Sequence, residues 1–115
     1  MTSESAAPAQ ELKLETEEKP EAVLVRCTGR IIFGTTPLLQ STVRPLISEN
    51  KHIALDIYNV SYLDSSGLGT IVGLWVTAKK NQCDLKLIRM SERMKEILHT
   101  TNLGLLVGDQ DSLGS

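Results

Sequence analysis

The most chemically functional stretch of the sequence is Asp64-Ser65-Ser66-Gly67-Leu68-Gly69, in which an acid and two hydroxyls precede two glycines. Residues 53–58 before it are mostly apolar, and apolar residues after it recur at helical intervals, which predicts a strand, a turn and a helix. A helix N-terminus carries free backbone N–H groups and about half a positive charge, so this turn suits a phosphate or another anion. Because Asp and Ser are also preferred N-caps, these side chains either only cap the helix or act chemically at its start.

Nucleophilic catalysis by Ser65 or Ser66 would need a neighbouring base that is itself oriented. The two histidines are poorly placed for this role, because His52 is predicted at the start of the central strand and His99 late in the last helix. No GxSxG motif surrounds either serine. We therefore predict a protein without catalytic residues.

A second chemical possibility is nucleotide binding, since Gly67, Gly69 and Gly73 resemble a dinucleotide-binding fingerprint after a strand. The third glycine comes one position late, the chain lacks room for two mononucleotide-binding halves, and the sequence has no GxxxxGK[ST] motif. A small nucleotide-binding module is therefore kept only as an alternative function. Gly69 and Gly73 would equally allow the helix to lie close to its sheet.

The composition is that of one small globular domain, with 115 residues of which 41% are hydrophobic and 23% charged. A net charge of −2 gives no electrostatic footprint for nucleic acid. The sequence has no apolar run as long as a membrane span and no signal-peptide pattern, so we expect a cytoplasmic protein. Cys27 and Cys83 stand far apart without a CxxC motif, which predicts free core thiols and no metal site. No pattern indicates a cofactor or an oligomeric state.

Strands are predicted to alternate with helices along the chain. The predicted strands span residues 11–15, 22–28, 53–58, 84–89 and 105–107. The first two would form an antiparallel hairpin with a turn at 17–20, and Gly29 would end the second. We therefore predict a single small α/β domain at residues 11–108, with a mixed β-sheet, an N-terminal antiparallel hairpin and βα crossovers. A disordered tail at 1–10 would precede it and a tail at 109–115 would follow.

Three helices are predicted between these strands. The first would begin with a hydroxyl cap at Thr35 or Thr36 followed by Pro37, and Pro45 would kink it or split it into two short pieces. The second would end near residues 79–81, and the third would open with Ser91 as its N-cap. The side chains predicted to face the core are Leu39, Val43, Leu46 and Ile47, then Leu68, Ile71, Val72, Trp75 and Ala78, then Met94, Ile97 and Leu98.

The central motif resembles the signature of a known family. Residues 55–69, which read LDIYNVSYLDSSGLG, look like the signature of the STAS domain, and within that family they are most similar to bacterial anti-sigma factor antagonists. Supporting matches are Thr28-Gly29 after the second strand, the LKL run at 85–87, and the TNLG run at 101–104. Together these matches span about residues 12–107, nearly all of the predicted domain.

The resemblance implies regulation by partner switching. In such families the unphosphorylated antagonist binds a serine kinase that is also an anti-sigma factor, which releases the sigma factor. The kinase phosphorylates the serine that follows the Asp of the motif, and a phosphatase restores the binding form. Carried over to this sequence, Ser65 is the phosphorylated residue and Ser66 the second choice. Asp64, Ser66, Gly67, Leu68 and Gly69 form its immediate setting and are predicted to contact the partner.

One departure from the family pattern keeps a second function open. Switching members usually read Gly-Glu-Leu-Asp after the second strand, whereas residues 29–32 read Gly-Arg-Ile-Ile, with Ile32 in the place of the acid and Thr35 as the hydroxyl that follows. The missing acid favours a scaffold STAS domain of a signalling or lipid-transport complex that is never phosphorylated, while the intact residues 64–66 favour the switch. If the switch operates, a phosphate at the helix N-terminus is predicted to disrupt the docked interface rather than to refold the chain.

Overall fold

The structure, a computed structural model, describes residues 11–100 of the chain. Its elements are β1 (Leu12–Glu18), β2 (Val23–Ile31), α1 (Thr36–Glu49), β3 (His52–Leu63), α2 (Ser65–Lys80), β4 (Asp84–Ile88) and α3 (Glu92–Thr100). Each strand and helix predicted within residues 11–100 is present. The predicted tails, the predicted strand at 105–107 and the run at 101–104 lie outside the described residues.

The four strands form one mixed sheet in the order β1-β2-β3-β4. β1 and β2 are antiparallel, while β2, β3 and β4 run parallel with α1 and α2 as the crossovers, so the predicted α/β architecture with its N-terminal hairpin is confirmed. Because side chains alternate along a strand, residues such as Val25 and Leu55 pack into the main core with the helices. Their neighbours Leu24, Ala54 and Ile88 form a smaller apolar cluster of their own.

Two predicted ends of the hairpin strands are wrong. β1 continues through the predicted turn to Glu18, because exposed charges on an edge strand do not prevent its backbone from pairing. The chain reverses two residues later, where the Lys19 N–H donates to the Ala22 carbonyl at 2.9 Å. β2 does not end at Gly29 but continues to Ile31. Gly29 instead allows a bend within the strand, with φ of +116° and no room for a side chain beside the Glu11 carbonyl.

β3 is much longer than the predicted strand at 53–58, because it continues to Leu63 through two register shifts against β2. The shifts fall between Arg26 and Thr28 and between Gly29 and Arg30 on β2. They bring Ile31, the last residue of β2, opposite Leu63, the last residue of β3. The two central strands therefore end side by side, directly before the loop to α1 and the start of α2.

α1 is a single helix that contains Pro45, so of the two alternatives predicted there, a kink or a split into two pieces, the split is wrong. Pro37 lies in the first turn, where a missing N–H costs nothing, and Pro45 is on the exposed side of the helix. The predicted inner face is confirmed, since Leu39, Val43 and Ile47 are buried and Leu46 packs against the core while partly exposed. The prediction of a hydroxyl cap is wrong, because Thr35 precedes the helix without capping it.

The inner face of α2 is also confirmed. Ile71 and Ala78 are buried, and Leu68, Val72 and Trp75 pack against the core while partly exposed. The helix ends at Lys80 as predicted. In α3, the Ser91 Oγ accepts from the Met94 N–H at 3.2 Å, which confirms the predicted N-cap, and Met94 and Leu98 are buried. The Ile97 side chain lies outside the described part of the structure.

Both cysteines are free and buried, as predicted. Burial raises the pKa of the Cys27 thiol to about 12, so this group stays protonated at neutral pH. Burial also raises the pKa of Cys83. These thiols fill space in the core.

Candidate functional site

Asp64 caps α2, as its position in the sequence predicts. Its backbone is extended, with φ of −96° and ψ of −179°, and its Oδ1 accepts from the Gly67 N–H at 2.7 Å. The Asp64 carbonyl accepts the first helical hydrogen bond, from the Leu68 N–H at 2.9 Å. The carboxylate therefore satisfies one free donor of the first turn and adds negative charge where the helix dipole favours it.

The second carboxylate oxygen of Asp64 reaches a different part of the chain. Oδ2 accepts from the Phe33 N–H at 3.1 Å, and the Asp64 N–H donates to the Ile31 carbonyl at 3.2 Å. Asp64 thus joins the loop between β2 and α1 to the start of α2. Sequence analysis did not find this role, because the Phe33 partner is 31 residues away and no local pattern marks the contact.

Thr35 holds the same loop from its other end. Its side chain is buried, with an exposed fraction of 3%. The Oγ1 accepts from the Ile32 N–H at 2.9 Å and lies 2.8 Å from the Arg30 carbonyl, to which it donates. The hydroxyl is therefore used within the loop, which explains why it does not cap α1. Phe33 sits between these two attachments on a loop of fixed shape.

Gly67 is the glycine at which α2 lies against the sheet. A Cβ at this position would clash with the Ile31 carbonyl, so only glycine allows the helix to approach the end of β2 so closely. Sequence analysis predicted this role for Gly69 and Gly73, and that prediction is wrong. Both are exposed, and a Cβ at either would meet no atom of residues 11–100 within 4 Å. At about 100° per residue, Gly69 points away from the face that carries Gly67.

The two serines of the motif differ in exposure. Ser65, the first residue of α2, is exposed, whereas Ser66 is partly buried. Within residues 11–100, the structure gives neither serine N–H an acceptor, as expected for the first turn of a helix. An anion at the Ser65 hydroxyl would therefore lie close to free backbone donors. Of the predicted contact residues, Leu68 is partly buried and Gly67 fully buried, so the exposed surface comes from Ser65 and its neighbours.

The two histidines lie in the elements in which the sequence predicted them. His52 begins β3, at the opposite end from Ser65, and its Nδ1 lies 3.8 Å from a carboxylate oxygen of Asp84. His99 is near the end of α3. Within residues 11–100, no three His, Cys, Asp or Glu side chains are grouped to hold a metal ion.

The three glycines of the nucleotide alternative lie inside α2 rather than in a loop before it, which is not the geometry of a phosphate-binding loop.

A groove of about 530 Å³ runs between α1 and α2, beginning beside the serines. The loop and α1 contribute Phe33, Thr36, Gln40 and Arg44. α2 contributes Ser66, Gly69, Thr70, Gly73, Leu74 and Thr77. Phe33 is the only phenylalanine of the chain and is 78% exposed. Sequence analysis left it in an unassigned apolar segment, although a large apolar side chain next to Gly34 in a short loop is itself a sign of an exposed contact.

Within residues 11–100, no helix is both long enough and apolar enough to cross a bilayer.

Residues 13–112 match the sequence model of the STAS domain family. This match covers most of the chain, and the chain belongs to the STAS domain family.

Curated relatives carry a more specific name. An anti-sigma-B factor antagonist of Staphylococcus epidermidis is 31% identical over 93 residues, which are 80% of this chain and 86% of the relative. The anti-sigma-B factor antagonist of Bacillus subtilis (strain 168) is 29% identical over 92 residues, 80% of this chain and 84% of that protein. The crystal structure of an anti-sigma factor antagonist from Mycobacterium paratuberculosis has the same fold, with a TM-score of 0.78 and 18% identity over 96% of this chain and 92% of that one.

Proposed function

We propose that this chain is an anti-sigma factor antagonist that works by partner switching in the cytoplasm. Its unphosphorylated form binds an anti-sigma factor that is also a serine kinase, and this binding releases a sigma factor. Phosphorylation of Ser65 ends the binding, and a phosphatase restores it. The chain itself is a regulator without catalysis. The observation that carries the proposal is an exposed Ser65 at the start of α2, directly after the capping Asp64, in a chain whose relatives are anti-sigma-B factor antagonists.

Exposure favours Ser65 over Ser66 as the phosphorylated residue. A kinase must bring the acceptor hydroxyl in line with a phosphoryl group, which needs a side chain that projects into solvent. Ser65 is exposed and Ser66 is partly buried at the edge of the groove. The Asp64 cap fixes the backbone from which the Ser65 side chain projects.

In the proposed phosphorylation, this chain acts only as the phosphate acceptor. Ile32 stands where switching members carry an acid, and the residues from Arg30 to Thr36 include none. Both oxygens of the nearby Asp64 already accept backbone hydrogen bonds, from Gly67 and from Phe33. We therefore expect the kinase to supply both the metal ion and the catalytic base.

A phosphate at Ser65 would act on the interface more than on the fold. It adds a charge of about −1.5 to −2, which the positive end of the α2 dipole tolerates. In a docked complex the same charge would be desolvated beside Asp64 and repelled by it. A loss of about 3 kcal/mol in binding corresponds to an affinity more than a hundredfold weaker. The phosphorylated chain should therefore keep its fold and lose its partner.

The first test is mass spectrometry of the protein from its native cells, with site assignment across residues 62–79. The expected result is phosphate on Ser65. Binding to the purified anti-sigma factor of the same bacterium should persist in Ser65→Ala and fall at least a hundredfold in Ser65→Glu. Val76→Glu, which adds the same charge at an exposed position of α2 outside the groove, is the matched control and should bind like the wild type.

Ile32 supports a second candidate, a scaffold STAS domain of a larger signalling or transport complex. In that case the Ser65 peptide would be unmodified even in stressed cells, and Ser65→Glu would bind the same proteins as the wild type. A peptide that is always unmodified would put this candidate first.

A further inference from the structure

We propose that the groove between α1 and α2 is the docking site for one helix of the anti-sigma factor, with Phe33 as the apolar anchor at one end and Arg44 as the charge contact at the other. The inference rests on the proposed function and names the surface and the chemistry of its partner. The docking helix would carry apolar side chains that surround Phe33 and a carboxylate that pairs with Arg44.

Phe33 has the properties of an interface anchor. Phe33 is 78% exposed, and no other large apolar residue in the described part of the chain is as exposed to water. Its loop is held by the bond from the Phe33 N–H to Asp64 and by the buried Thr35 hydroxyl. Because the loop is already ordered, little conformational entropy is lost when the ring is buried in a complex. Aromatic side chains of this kind dominate the binding energy of protein interfaces.

Gly69 and Gly73 form an open floor to the groove. Each glycine lowers the stability of a helix relative to alanine, and neither is needed for packing, since a Cβ at either position would meet no atom of residues 11–100 within 4 Å. A side chain there would instead project into the groove. Two bare positions one turn apart let the backbone of a docked helix come close to α2.

The charge of the groove indicates the chemistry of its partner. No acid between residues 11 and 100 lines it, and its polar groups are the hydroxyls and the amide of residues such as Thr36, Gln40, Thr70 and Thr77. Arg44 is exposed and makes no ion pair with any residue between 11 and 100. A carboxylate on the docking helix is the complementary group, because opposite charges across an interface favour the correct partner and its orientation.

The groove also connects docking to the switch. Ser66 and Phe33 lie at the same end of it, so a phosphate on Ser65 would reach the end that holds the anchor. Thr36 and Arg44 are eight positions apart on α1, about 12 Å at 1.5 Å per residue. This is slightly more than the screening length of about 10 Å at 0.1 M salt. The phosphate should therefore weaken the Phe33 contact more than the Arg44 contact.

The test is calorimetric titration of the purified anti-sigma factor from the same bacterium with the full chain. We expect Phe33→Ala, Gly73→Gln and Arg44→Glu each to weaken binding at least tenfold, with thermal midpoints close to that of the wild type. The loss in Arg44→Glu should shrink as salt is raised. Matched controls are Tyr58→Ala, another exposed aromatic, and Val76→Gln, an exposed position of α2 outside the groove. Both should bind within twofold of the wild type.

A double-mutant cycle tests the link to the switch. Effects of Ser65→Glu and Arg44→Ala on the dissociation constant should multiply, whereas those of Ser65→Glu and Phe33→Ala should combine to less than their product. Equal coupling of Ser65 with both ends of the groove would overturn the proposed arrangement.

The outcomes separate the inference from the function on which it rests. If wild type and Ser65→Ala bind, Ser65→Glu does not, and the groove variants bind like the wild type, the groove is not the docking site and the proposed function stands. If the wild type does not bind the anti-sigma factor, both are overturned. If the free chain sediments as a dimer that Gly73→Gln converts to a monomer, the groove joins two copies of this chain and the docking proposal is wrong.

Discussion

The starts of α1 and α2 are built from similar residues and are used differently. Each helix follows the end of a central strand and begins after an oxygen-bearing side chain, Thr35 for α1 and Asp64 for α2. Asp64 caps its own helix and also bonds to Phe33, whereas Thr35 makes no cap and holds the loop before it. The start of α2 is therefore a capped helix end with an exposed serine, Ser65. The loop before α1 is instead held in place and carries an exposed aromatic ring, that of Phe33. The proposed interface needs both.

The largest expected effect tests how closely the start of α2 lies against the sheet. Gly67→Ala should lower the free energy of unfolding by about 3 kcal/mol, because the new methyl group overlaps the Ile31 carbonyl. Gly73→Ala, in the same helix but beside open space, should raise it by about 0.5–1 kcal/mol. Urea unfolding measures both. Equal stabilities for the two variants would show that α2 does not rest on the end of β2.

A smaller loss of stability is expected on substitution of Asp64, which both caps α2 and bonds to the loop before α1. Asp64→Ala should cost about 2 kcal/mol of unfolding free energy, since it removes the cap and the bond to the loop. Asp64→Asn has a single acceptor oxygen, so it should keep one of the two bonds and lose about half as much. Hydrogen exchange at the Phe33 and Gly67 amides reports each bond separately. Unchanged exchange at Phe33 in Asp64→Ala would contradict the second role of the carboxylate.

The smallest effect should come from Thr35, whose hydroxyl supports only the loop. Thr35→Ala should cost about 1 kcal/mol and speed exchange of the Ile32 amide, while Thr35→Ser should behave like the wild type. The helical circular dichroism signal should stay the same in both variants. A loss of helical signal in Thr35→Ala would mean that Thr35 caps α1 after all.

Local patterns predicted most of the fold because the fold depends on them. The inner faces of the helices follow from apolar periodicity, and the Asp64 and Ser91 caps follow from the residue types that accept hydrogen bonds from a first turn. The strand ends at Glu18, Ile31 and Leu63 were missed because they depend on pairing with a neighbouring strand, which composition does not reveal.

The candidate site was predictable in position but not in its connections. The motif placed Ser65 at a helix start, yet the bond from Phe33 to Asp64 joins residues 31 apart in the chain. The close approach of α2 to the sheet was predicted at Gly69 and Gly73 but occurs at Gly67, because this contact too is non-local. Which of Gly67, Gly69 and Gly73 lies against the sheet depends on the rotation of α2 about its axis, and only the contact with Ile31 determines it.

The side-by-side ends of β2 and β3 have a consequence for when the site exists. Ile31 pairs with Leu63 only after the two parallel strands have assembled, which is a non-local step of folding. Before that step, the loop with Phe33 and the turn with Ser65 are separate pieces of an unfolded polypeptide. A partner that contacts both the loop and the turn therefore binds only folded chains. Nascent or damaged copies of the chain would neither compete for the partner nor be mistaken for a signal.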